Sequence, residues 1–181
     1  MPALPALAPL ALLALLAARP GTACPIDPAA SAAGAALSVA APGAVVARLR
    51  LEDLLALPQQ EIEERRALAT AGAASSAVEQ SIRYRGPLLR TVIERGWPEI
   101  GTRRDGRWFV IEAIATDGYR AFFSWGELFN TRASDQIVVV LRTDGEPLDR
   151  RTGPLALRAL ADLRPGPRHV RHLCGVAVRA P

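Results

Sequence analysis

The chain has 181 residues, a formal net charge of +4 and no lysine, so arginine alone carries its positive charge. That length gives room for one domain with a core able to fold without staples. The missing lysine excludes Schiff-base chemistry, a lysine base or nucleophile and a Walker-A phosphate loop. Acids are interspersed among the arginines, which describes a solvated mixed surface and calls for no nucleic-acid partner.

Residues 1–18 carry no charged side chain, and 10–18 form a compact apolar run. The run is too short for a bilayer, which needs about 20 apolar residues. It fits the h-region of a signal peptide, with the small residues Gly21, Thr22 and Ala23 at the cut, although no Lys or Arg precedes it. Pro2, Pro5 and Pro9, and the lack of a polar face, argue against a buried helix. An export signal is therefore expected over 1–23, placing the mature chain in a bacterial periplasm. Cys24 stands where a lipoprotein's acylated cysteine would, but Gly21 is not the aliphatic residue such a signal carries. The other cysteine is Cys174. A bridge between them needs Cα atoms within about 7 Å. Sequence leaves that open, and a free, buried Cys174 in an apolar strand is the commoner outcome.

Residues 24–44 are rich in Ala, Pro, Gly and Ser and read as a linker, with a domain over 45–181. Residues 45–51 alternate as a half-buried strand does. Residues 52–57 form a short helix with acids in its first turn, stopped at Pro58. Alternation returns over 59–66, and the small residues of 67–77 read as a loop. Leu88, Leu89, Val92 and Ile93 make one helical stripe before Gly96. A buried strand follows over 108–115, then a hairpin through Asp117 and Gly118 into 120–123. Ser124 caps a helix with Glu127 at its third position, the pattern of a capping box. Residues 137–141 are a core strand, Asp144-Gly145 a second tight turn, and 155–158 and 170–178 the last strands. Short strands interspersed with short helices predict an α+β domain with a mixed sheet.

The order of motifs carries a resemblance. Leu54-Leu-Ala-Leu-Pro58, Tyr84-Arg-Gly-Pro-Leu-Leu89 and the segment from Ala115 to Ser124 are followed by Asp144-Gly-Glu-Pro-Leu148, Gly153-Pro-Leu155 and Arg168-His-Val-Arg-His-Leu173. In this order they resemble the small molybdopterin-dependent oxidoreductases, over roughly residues 45–179. The resemblance implies a single sulfite-oxidase-type, molybdopterin-binding domain. In that family a cysteine thiolate ahead of the Gly-Pro-Leu-Leu helix ligates molybdenum, as suits a soft metal site. Here residues 59–85 contain no cysteine, Ser75 and Ser76 are hard hydroxyls, and Cys174 lies far along the chain from the ligand position.

The resemblance also gives the family's cofactor-holding segment a counterpart in 164–172, where three arginines and both histidines fall within nine residues. Guanidinium forks match phosphate oxygens, so Arg168, His169 and Arg171 are the candidate cofactor-binding residues for a molybdopterin tail. The bland alternative is a basic, solvent-facing turn. His169 and His172 would face opposite sides of a strand, so a shared metal is not expected and no catalytic residue is assigned. Ser124 lacks a nucleophile elbow, and Trp97, Trp108 and Trp125 read as core or turn-packing aromatics. The expected function is an exported, non-catalytic module taking an anionic small molecule, a pterin cofactor or a partner such as a membrane redox or sensor subunit. The alternative is a molybdopterin-binding oxidoreductase or a subunit of one.

Overall fold

The computed structural model describes residues 23–34, 36–68, 78–164 and 166–180. The elements in order are β1 (Leu37–Ala41), β2 (Ala44–Leu49), α1 (Leu51–Ala56), β3 (Gln59–Leu68), β4 (Val78–Pro87), α2 (Leu89–Gly96), β5 (Val110–Ala115), β6 (Arg120–Ser124), α3 (Trp125–Asn130), β7 (Ile137–Val140), β8 (Arg142–Thr143), β9 (Glu146–Pro147), β10 (Ala156–Ala159) and β11 (Leu173–Arg179). Three 3₁₀ turns, Ile100–Thr102, Gly106–Trp108 and Arg132–Gln136, complete them. The architecture is α+β, as the interspersed short elements predict. The expected export signal lies outside the described residues, among which no helix is long and apolar enough to cross a membrane.

A five-stranded sheet in the order β2-β1-β11-β5-β6 forms the main layer. Only β1 and β11 pair in parallel within it. Its inner face packs on α2, whose buried stripe is Leu89, Val92 and Ile93. Gly96 lets that helix end close against β1, because a Cβ there would lie 2.7–2.9 Å from the Val39 side chain. All four residues of β7 are buried, since its two faces serve two cores. Ile137 and Val139 join the main cluster, while Val138 and Val140 pack with Tyr84 and Ala156. An unbroken apolar run is what a strand covered on both faces requires. Gly86 permits β4 to pass alongside, where a Cβ would come within 1.8 Å of the Val139 carbonyl oxygen.

Strands β10 and β7 form a two-stranded sheet, and a further sheet runs in the order β3-β4-β8-β9. Asp144 and Gly145 join β8 to β9 with φ of 52° and 86°. A two-residue hairpin loop of this kind requires positive φ at both positions, which Asp-Gly supplies cheaply. Gly118, at φ 86°, supplies the positive φ in the longer turn from β5 to β6.

Several expectations are corrected here. Residues 24–44 are not a free linker, because Leu37–Ala41 is buried strand β1 in the main sheet. Its small side chains hid a strand that is specified by its neighbours β2 and β11, not by its own composition. Ahead of it, residues 23–34 lie over the outer face of the sheet. Ile26 packs on Ala40, Ile114 and Ala177, and Asp27 accepts hydrogen bonds from Ser38 and Arg48. Cys174 is not a free thiol but is joined to Cys24, with Cα atoms 5.6 Å apart. The strand expected over 108–115 starts only at Val110. Trp108 sits in a 3₁₀ turn with 61% of its surface exposed, so it is no core residue. The last strand starts at Leu173, and Val170 makes only an isolated bridge to Leu157.

Candidate functional site

The segment expected to bind an anion joins β10 to β11. Gly166, at φ 123°, and Pro167 keep it out of regular structure, so Arg168 to His172 form a looped corner ahead of the strand. Arg168 grips both oxygens of Asp162, Nε donating to Oδ2 at 2.9 Å and Nη2 donating to Oδ1. Its Nη1 donates to Glu127 Oε1 at 2.6 Å, and the guanidinium lies 4.8 Å from the centre of the Phe123 ring. Tyr119 adds a hydrogen bond from Oη to the Pro167 carbonyl at 2.6 Å. The corner is thereby fastened to β6, to α3 and to the turn from β5 to β6.

These contacts decide what Arg168 can offer a ligand. Its side chain is 28% exposed, against 15% for Asp162 and 23% for Glu127. The Asp162 hydrogen bonds first, then Glu127, raise its pKa further, against the opposing effect of burial. One arginine between two carboxylates has a formal charge of −1, which repels an anion instead of gathering it. Arg171 stands exposed outside this network, and His169 is half-buried. His172 is half-buried with a φ of 49°. The sequence reading missed Glu127 and Asp162. Glu127 was expected to close a capping box, but only half of that box forms. Ser124 Oγ accepts from the Glu127 amide at 3.0 Å, while the Glu127 carboxylate turns to Arg168.

The donors available do not fit a thiolate-ligated molybdenum. Both cysteine sulfurs are bonded to each other, and Ser75 and Ser76 lie outside the described residues. Among the described residues no group of three or more His, Cys, Asp or Glu side chains could hold a metal.

A different concavity opens on the β3-β4-β8 sheet. It holds about 380 Å³ and is lined by Leu55, Gln59, Glu61, Arg85, Leu141 and Arg142, with Gly145 at its edge. Helix α1 reaches this wall through Gln59, whose Nε2 donates to the carbonyls of Leu54 at 2.9 Å and Leu57 at 2.8 Å. Glu61 pairs across the sheet with Arg85, and Arg85 with Arg142, so all three project from one face. Sequence inspection passed over both arginines because each stands alone between apolar or turn residues.

No protein-family model matches the chain, and no curated protein is significantly similar to it.

Proposed function

We propose that the chain is an exported, non-catalytic binding module of sulfite-oxidase-type fold that takes an anionic small molecule. The observation that carries this reading is the Cys24–Cys174 disulfide. It occupies the only two thiols in the sequence, so no thiolate is left to ligate molybdenum and oxygen-atom transfer has no metal anchor. It also ties the start of the described chain to the last strand, a use of cysteine suited to an oxidising compartment. The same sulfur cannot carry a lipoprotein thioether, so the reading is a periplasmic module without an acyl anchor at Cys24. The order of motifs from Leu54 to Leu173 and the α+β architecture support the choice of fold.

The test uses full-length protein exported and purified from its own compartment. Elemental analysis and pterin fluorescence are expected to give molybdenum and pterin far below one per chain, with no titratable thiol even in denaturant until a reductant is added. Stoichiometric molybdenum or pterin would overturn the reading in favour of an oxidoreductase subunit.

A further inference from the structure

The row Glu61–Arg85–Arg142 contains an arrangement that sheets ordinarily avoid. Arg85 and Arg142 are direct partners on adjacent strands, and like charges so placed repel at Cβ separations of about 4.5–5.5 Å. Several arginines have a carboxylate against them, as Arg48 has Asp27, Arg90 has Asp135 and Arg120 has Glu112. Among the described residues no carboxylate lies within ion-pair distance of either Arg85 or Arg142. Among the described residues, Arg142 Nη1 donates to the Gly145 carbonyl at 3.0 Å, which fixes that arginine over its own turn.

We infer that Arg85 and Arg142 together bind the oxyanion of a small organic molecule, a phosphate ester or sulfonate, in the 380 Å³ concavity. This rests on the binding-module reading and gives that module its site. An oxyanion between two guanidinium forks turns their mutual repulsion into paired, charge-assisted hydrogen bonds. Leu55, 48% exposed, gives the concavity an apolar edge that suits the organic body of the ligand. The Gln59 amide nitrogen is committed to helix α1, so that side chain can offer only its carbonyl oxygen, to a hydroxyl or amide. Glu61, across the sheet from Arg85 on the side away from Arg142, opposes a second negative charge there. The site therefore selects a compact ligand with one anionic end.

The probes are phenyl phosphate and inorganic phosphate, titrated into the full chain by calorimetry at low and at 0.5 M salt. Phenyl phosphate is expected to bind more tightly than inorganic phosphate, and salt to weaken both. Arg85→Gln and Arg142→Gln should each weaken phenyl phosphate at least tenfold, while Arg171→Gln leaves it unchanged. A second readout needs no ligand. Because the pair is repulsive when empty, Arg142→Gln should melt at or above the wild-type temperature, yet gain nothing from added phenyl phosphate. Wild-type protein that binds neither probe at millimolar concentration overturns the inference. So does equal affinity in the double variant, and if affinity is lost in Arg171→Gln instead, the module reading survives with its site moved. Molybdenum in the purified protein would overturn that reading without touching the result at Arg85 and Arg142.

Discussion

Replacing Arg168 by glutamine tests whether the looped corner is a ligand site or a fastening. The substitution removes three charge-assisted hydrogen bonds, two to Asp162 and one to Glu127, and leaves two carboxylates facing each other. Hydrogen bonds to charged groups contribute about 1.5–3 kcal/mol each when buried. The guanidinium is 28% exposed, so screening lowers each to about 1 kcal/mol. Lost cation–π contact with Phe123 adds roughly 0.5–1 kcal/mol. The expected cost is about 3–4 kcal/mol. For a domain of this size that is a fall in Tm of roughly 6–16 °C. Urea and thermal unfolding, run with Arg171→Gln as a control expected within about 0.5 kcal/mol of wild type, measure it. In a double-mutant cycle with Glu127→Gln, the double variant should lose less than the sum of the two single variants, because Glu127→Gln has already removed the charge of one of the two carboxylate partners. An Arg168→Gln protein with wild-type Tm and lost phenyl phosphate binding would refute the reasoning and return the anion to the corner.

The remaining predictions concern backbone, disulfide and pH. Gly118→Val and Gly145→Val meet open space but sit at φ 86°, so each should cost about 1–3 kcal/mol of pure backbone strain. Gly153→Ala, at φ 89°, also brings a Cβ within 2.5 Å of His172 Nδ1 and should cost more than Gly118→Ala; equal denaturant midpoints would contradict this. Breaking the disulfide by Cys174→Ser opens a loop spanning 150 residues, for which chain entropy gives a loss of about 5 kcal/mol at most. The expected signature is a lower urea midpoint, matched by reduced wild type, and unchanged midpoints would count against a staple. The Arg48 hydrogen bond first, and then Ser38, hold the Asp27 carboxyl below the usual aspartate range although burial opposes them. A depressed folded pKa means this stabilisation is complete above the unfolded value of about 3.9 and is lost as pH falls through the folded one. The gap in stability between wild type and Asp27→Asn should therefore be open at pH 7 and narrow below about pH 4, and a constant gap would show that Asp27 is not the titrating group.

Elements with strong local chemistry were legible in the sequence. Helix α2 follows from its stripe and its terminal Gly96, and the Asp144-Gly145 turn from dihedrals that few other pairs adopt. Strand β1 was not legible, because Leu37-Ser-Val-Ala-Ala41 lacks the bulk of a core strand and becomes one only between β2 and β11. The disulfide depends on a 5.6 Å approach between residues 150 apart, a distance set by the whole sheet. The same limit applied to the site. Three arginines within nine residues are conspicuous in a sequence, but proximity along the chain says nothing about which carboxylates fold against them.

That distinction matters most in a protein whose cations are all arginine. With 22 arginines and 18 acids, a guanidinium that folds against a carboxylate is committed to the fold. Arg168 has two, and Glu112 serves both Arg120 and Arg179. Arg85 and Arg142 are instead set beside each other, with Glu61 across the sheet from Arg85 but, among the described residues, no carboxylate within ion-pair distance of either. Arg85 and Arg142 are 57 positions apart in sequence and direct partners in the sheet, so their repulsion is created by the register itself. A sheet can keep such a pair at low cost only where solvent or an anion reaches both heads, and both arginines are exposed at an open concavity. What the proposed site would offer an anion is therefore a like-charged pair created by the register, not a high density of basic residues along the chain.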